Sequence, residues 1–250
     1  MAAALSQLQL SDVTRLGAAV RSLSAPSPSS MEALAGRLVR FLYDAFVESG
    51  DVRSTILVRF YVTTEYGTLD NELRAFGARV AQGHALSDST RCLTLLATAG
   101  ERSEWNDRRR SEGHKTIPLP SEEVVQAIPM VAHLLAQLGV SVATVIKPDP
   151  ALVLEIEQRT YNVFFVADAQ GSPYIPAQEH FVVPFGVRSV LGFGGLLPTG
   201  DVFTVLMFAR VVVPRSVADT FRNLALNAKV ALLACAGRPM FEPTREGRDG

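Results

Sequence analysis

Between Tyr161 and Val213 the chain runs through four apolar segments, YNVFFVADA, EHFVVPF, VRSVLGFGG and DVFTVLMFARVVV, separated only by short breaks. The breaks carry Gly-Ser-Pro at 171–173, Pro184, Gly186, Gly194-Gly195 and the LPTGD of 197–201. Val-, Phe- and Leu-rich runs punctuated in this way predict consecutive antiparallel strands. This stretch is the scaffold on which the remaining elements are organised. Its core positions include Phe164, Val183, Leu191 and Val205, where a polar replacement should be poorly tolerated.

The first half reads as alternating helix and strand. Leu10, Val13, Leu16, Val20 and Leu23 recur at the spacing of one helical face. APSPSS at 25–30 interrupts that helix, and Ser29 with Glu32 has the spacing of a capping box for a second helix bearing Met31, Leu34, Leu38, Phe41, Leu42 and Ala45 and stopping near Gly50. Residues 54–67 alternate Ile56, Val58, Phe60 and Val62 with Leu57, Arg59, Tyr61 and Thr63, which predicts a strand with one drier face. A third helical stripe, Leu69, Leu73, Phe76 and Val80, leads to a strand over 92–100.

Ser121 with Glu122 and Glu123 starts a helix whose buried face is Val124, Ile128, Val131, Leu135 and Leu138, kinked at Pro129 and ended by Gly139. Residues 140–147 are expected as a strand and 148–160 as a short helix. A last helix from Ser216 to about Cys235 shows two apolar faces, one through Val217, Phe221, Leu224, Ala228 and Ala231 and another through Leu226, Val230 and Leu233. Two such faces require two partners. The order predicts an α+β fold with a central antiparallel sheet, helices packed on both sides and amphipathic terminal helices. The expected organisation is an N-terminal amphipathic helix over 1–24, one domain over 25–236 and a disordered tail over 237–250.

Composition narrows the classes. At 250 residues and 48% hydrophobic, the chain can fill a core; 24 Lys plus Arg against 25 Asp plus Glu, a net charge of -1, supplies no general attraction to nucleic acid or anionic lipid. Cys92 and Cys235 stand far apart in apolar contexts and read as buried thiols of a reducing compartment. No apolar run reaches the roughly 18 residues of a membrane span, and the N-terminus lacks the pattern of a signal peptide, so a cytoplasmic location is expected.

Candidate chemistry is sparse. GFGGLLPTG at 192–200 fits neither the dinucleotide nor the Walker pattern, and its glycines are read as a backbone bend before a hairpin turn. His84, His114, His133 and His180 have no metal-ligand spacing; His133 reads as structural, while His180, entering a strand, could reach into a cavity. Neither a nucleophile elbow nor a Cys-with-His signature is present, no catalytic residue is assigned, and a non-enzyme is expected. Residues 101–120 form a long polar loop with five basic and four acidic side chains before Ile117 and the only Trp of the chain, Trp105. Such loops are commonly functional. The bland reading is a solvated loop in which Trp105 only packs.

Three segments carry a resemblance: 104–123, 157–208 and 214–233. Together they resemble the GAF-like sensory modules that precede kinase cores in bacterial, including cyanobacterial, two-component histidine kinases. The likeness spans about 25–235 and is most specific in SPYIPAQEHFVVPFG, SVLGFGGLLPTGD and the final helix. It implies a sheet with helices on both sides, a bound small molecule, relay of occupancy through the terminal helices, and a homodimer paired through helices 10–23 and 216–235. The sequence departs from those kinases in carrying no histidine box or nucleotide-binding core, so either a kinase partner acts in trans or the chain is a fragment of a longer sensor. The ligand-binding candidates are Trp105, Asn106, Arg108, Ser111, His114, Tyr174 and His180. No cofactor is specified. The alternative is a ligand-free pairing module whose interior is filled by Phe164, Phe181 and Phe193.

Overall fold

The structure of the chain is a computed structural model that describes residues 3–148 and 162–243. Helices α1 (Leu10–Ser22) and α2 (Met31–Ala45) lead through a two-stranded ribbon, β1 (Val47–Glu48) and β2 (Val52–Arg53), into the long strand β3 (Thr55–Glu65). Helix α3 (Asn71–Val80), β4 (Arg91–Gly100) and β5 (Thr116–Pro118) follow, then three short helices, α4 (Glu122–Gln126), α5 (Pro129–Leu138) and α6 (Val142–Ile146). Strands β6 (Asn162–Val166), β7 (Ser189–Leu196) and β8 (Val202–Ala209) complete the sheet before α7 (Arg215–Thr220) and α8 (Arg222–Leu233).

The sheet has six strands in the order β5-β4-β3-β8-β7-β6, every neighbouring pair antiparallel. Helices cover both faces. Val58, Phe60 and Val62 of β3 pack with Phe203, Val205 and Met207 of β8 against α1, α2, α7 and α8. Leu57 and Tyr61 face the other layer, with Leu206, Phe208 and the helices α4 to α6. The fold is therefore α+β, with an antiparallel sheet between two helical layers.

Because both faces are covered, β3 is buried at nearly every position, and the expected single drier face does not occur. A register irregularity between Thr55 and Leu57 also sends Ile56 to the cluster of Leu57, away from Val58 and Phe60. Gly192 and Gly194 lie inside β7 and do not make a bend. A Cβ at Gly194 would sit 2.2 Å from the Phe203 carbonyl oxygen, so the close approach of β8 requires glycine there. The turn comes later, with Gly200 at φ 83.

Several expected elements take a different form. EHFVVPF is a single π-helical turn over Gln178–Val182 and not a strand. Phe181 and Phe185, four residues apart, reach the same aromatic partner, Trp105, and the Phe185 amide donates to the Phe181 carbonyl. That spacing belongs to a helix. Val183, assigned to the core, is 60% exposed. Residues 140–147 hold the short helix α6 and not a strand, because the Ser141 hydroxyl accepts from the Thr144 amide and caps it.

The helix expected across Pro129 is two helices, with Pro129 at the start of the second and Gly139 in the left-handed conformation at its end. Ser30, and not Ser29, caps α2, accepting from the Ala33 amide at 3.0 Å. Helix α1 packs on α8 within the chain, and its buried residues belong to the same core as that face of the sheet. The described part of the expected disordered tail, 237–243, packs against α2: the Met31 and Glu32 amides donate to the Pro239 and Met240 carbonyls. The helix expected over 148–160 and the end of the tail, 244–250, lie outside the described residues but for Pro148.

Val205 is fully buried under the helices, and an aspartate there would also bury a charge without a partner. Val205→Asp is expected to lower the unfolding free energy by at least about 3 kcal/mol, whereas Val183→Asp should stay within about 0.5 kcal/mol of wild type. Thermal and urea denaturation of the two variants checks both; equal losses would place Val183 back in the core.

Candidate ligand-binding site

The polar loop after β4 folds back over the sheet. A short helical turn, Ser103–Asn106, is closed by Asn106, whose side chain accepts from the Gly100 amide and donates to the Gly100 carbonyl, both at 3.0 Å, and donates to the Arg102 carbonyl at 2.7 Å. This reproduces a backbone ladder pair at the strand end. Arg40 adds a further donor to the same amide oxygen. Two residues on, Arg108 forms a two-point pair with Glu32 of α2, Nε to Oε1 at 2.6 Å and Nη2 to Oε2 at 3.1 Å, and stacks over Phe241. Arg108 is only 7% exposed, so this pair clamps the loop and the tail onto α2.

Held in this way, the loop brings Trp105 against an aromatic group. Trp105 meets Phe181 and Phe185 edge to face, with ring centroids 5.5 and 4.7 Å apart, and Phe181 meets Phe208 of β8 at 5.1 Å. Gly100 lies directly beneath, where a Cβ would come within 3.0 Å of the Trp105 side chain.

Under these rings lies a cavity of about 330 Å³. Leu57, Arg59 and Tyr61 of β3 and Leu206 and Phe208 of β8 form its floor. Helix α5 contributes Met130, Val131 and Leu134, and the roof is Trp105 with the segments around His114 and Phe181. A mostly apolar enclosure of this size with a few polar groups is the usual form of a small-molecule site.

Arg59 is its main polar feature. Its Nη1 donates to the Tyr61 hydroxyl and the Gly113 carbonyl, each at 3.2 Å, and its Nη2 to the Ser111 hydroxyl at 3.0 Å. The buried Nε finds no hydrogen-bond partner among the described residues. His114, with φ 56, lines the same space. Part of its surface stays open to solvent, yet the atoms packed around it and the Arg59 guanidinium both hold its pKa below the ordinary histidine range.

Trp105, His114 and His180 thus come together around one cavity. Ser111 is one step removed, behind Arg59, while Asn106 and Arg108 serve the loop's own architecture and do not line the cavity. Tyr174 lies outside it, stacked on His133 at 3.8 Å along a shallow groove. His133 is also hydrogen-bonded to Gln137, which completes the free edge of β6 by accepting from the Phe165 amide at 2.6 Å. Of the three rings expected to fill the interior, only Phe181 borders the cavity; Phe193 is buried on the opposite face of the sheet.

Arg59 and Tyr61 were not among the sequence candidates. The available signal was an arginine in the middle of a run that is otherwise apolar or hydroxylic, ILVRFYVTT, since such a side chain in a buried strand must have somewhere polar to point.

Both cysteines lie away from the cavity. Cys92 packs with Leu69 and Leu73 beside α3, where burial pushes its thiol up to about 11; Cys235 lies under α2, where burial also raises its thiol. Among the described residues no group of three or more His, Cys, Asp or Glu side chains is placed to hold a metal ion, and no helix is long and apolar enough to cross a membrane.

No family model and no curated protein matches the chain. It aligns with the solved structure of a free methionine-R-sulfoxide reductase from Neisseria meningitidis in complex with its substrate, at 12% identity and a TM-score of 0.47, covering 95% of this chain and 99% of that one. The aligned protein is an enzyme, and on that finding the expectation of a non-enzyme is withdrawn.

Removing either loop clamp should cost stability. Arg108→Ala leaves Glu32 without its cation and is expected to lower the unfolding free energy by about 3–5 kcal/mol, and Asn106→Ala by about 1–3 kcal/mol. Urea titrations of the two variants measure this; wild-type stability in both would mean that the loop is not held by these contacts.

Proposed function

We propose that the chain is a sensory domain that takes a small molecule into the cavity between β3, β8, α5 and the 104–114 loop and relays its occupancy to the terminal helices. The observation that carries this reading is the partly open, mainly apolar space of about 330 Å³ beneath Trp105, with Arg59 and His114 at its wall. A domain whose interior served only to pair chains has no need of such a space.

Strand β3 supplies the connection. Leu57, Arg59 and Tyr61 meet the cavity, while Val58, Phe60 and Val62, between them in sequence, pack on the layer that holds α1 and α8. A ligand that prefers one position of this strand shifts the helical layer by as much as it discriminates between the two arrangements. In keeping with the resemblance to modules ahead of histidine kinase cores, the output would pass in the cytoplasm to a kinase or another signalling partner in trans.

A homodimer completes the reading, in a form revised from the sequence expectation. The inner stripe of α1 is already occupied by α8 of the same chain. What remains is the outer stripe of α8, where Leu226, Val230 and Leu233 are 46%, 41% and 44% exposed. Pairing through this stripe would also serve the second reading, a ligand-free interaction module.

A ligand screen separates these readings, and a mass measurement tests the interface that both share. A thermal-shift screen of small acids, amines and neutral heterocycles is expected to yield compounds that raise the melting temperature and move Trp105 emission, with both effects weakened in Phe181→Ala; no response to any compound at millimolar concentration would leave only the pairing module. Leu226→Glu with Val230→Glu is expected to halve the light-scattering mass. An unchanged mass removes the α8 interface.

A further inference from the structure

We propose that the ligand of this cavity carries a carboxylate that pairs with Arg59, and that its remaining body is apolar and flat enough to lie against Trp105 and Phe181. This rests on the cavity being a ligand site and names the chemical class it selects.

The chain itself shows what an arginine in a buried setting looks like when its partner is present. Arg108 directs Nε and Nη2, one edge of its guanidinium, at both oxygens of Glu32. Arg91 and Arg210 are, like Arg59, buried at Nε without a partner there, but each holds a carboxylate through Nη2: Asp201 for Arg91 and Glu101 for Arg210. Arg59 alone of these four has no carboxylate partner among the described residues. Arg59 keeps a buried Nε without a partner, and its Nη2 meets only the neutral hydroxyl of Ser111, which leaves the Nη2 end for an anion.

A guanidinium in largely apolar surroundings is costly unless an anion compensates it, and a carboxylate at the Nη2 end matches it in charge. The neutral acceptors do a different job. Tyr61, Gly113 and Ser111 fix the direction of the side chain, as a preorganised recognition arginine requires. His114, held toward its neutral form beside Arg59, leaves the arginines Arg59, on the floor, and Arg110, on the loop, as the fixed positive charges of the lining. Glu104, Glu112 and Arg110 also border the cavity, and neither glutamate is ion-paired to Arg59. The rest of the lining, including Leu134, Leu206 and Phe208, is apolar and suits a hydrocarbon or aromatic body.

Naphthalene-1-acetate and naphthalene-1-acetamide share size and ring and differ in charge, so they isolate the assigned contact. Isothermal titration of the full chain is expected to show the acid binding at least about tenfold more tightly than the amide, in line with the strength of charge-assisted hydrogen bonds. Arg59→Met should bring the ratio to about one by weakening the acid alone, and Arg59→Lys should restore part of it. If Arg59 is only a strut for the loop, Arg59→Met lowers the melting temperature and leaves the acid-to-amide ratio unchanged. Equal binding of acid and amide to the wild-type chain overturns the assignment while leaving the cavity as a ligand site, and should Arg59→Met fail to fold, this wild-type ratio still decides. Binding of neither compound at millimolar concentration counts against both the assignment and the cavity reading.

Discussion

A strand covered on both faces has no solvent side on which to place a charge, and β3 is such a strand. It lies between β4 and β8 near the middle of the sheet, with one helical layer packed on Val58, Phe60 and Val62 and the other on Leu57 and Tyr61. Arg59 interrupts that run. A guanidinium there needs acceptors and room, and both the cavity and the turn of the loop at Ser111 and Gly113 answer that need. The site follows from one residue that the sheet cannot absorb.

The loop over the cavity depends in turn on contacts remote from it. Asn106 prolongs the β4 ladder, and Arg108 is fixed to Glu32, whose other backbone and side-chain links tie α2 to the tail at Glu242. Trp105 directly precedes these two anchors in the chain. Its ring is therefore positioned by a polar framework while its own contacts are aromatic, an arrangement in which binding groups and supporting groups alternate along a few residues.

The two faces of the sheet divide the labour. The face with α1, α2 and α8 is densely filled by large side chains such as Phe46, Phe60, Phe203 and Phe221. The face with α4 to α6 and the π-helical turn is built from shorter pieces and leaves the partly open space. One face is close-packed and the other keeps a cavity, and β3 borders both.

The sequence by itself determined the α+β class, most strands and helices, their caps at Ser121 and Gly139, and the loop that carries Trp105, because these depend on periodicity and local backbone chemistry. It misread EHFVVPF and 140–147, where short apolar runs suit either a strand or a helical turn and only packing decides: Phe181 and Phe185 turn to Trp105, and Ser141 caps a helix. Trp105, His114 and His180 were singled out in the sequence for a flat ring or a polar tip, and all three line the cavity. Asn106, Arg108 and Ser111 looked alike in sequence. Tertiary structure alone gave the first two to the scaffold and set Ser111 behind Arg59, because the partners that claim them, Gly100, Glu32 and Arg59 itself, are distant in the chain or are backbone atoms with no sequence signature. Arg59 was hidden for the same reason: whether a charged residue in a strand faces solvent or a cavity depends on what covers the sheet, and that is decided by helices far along the chain.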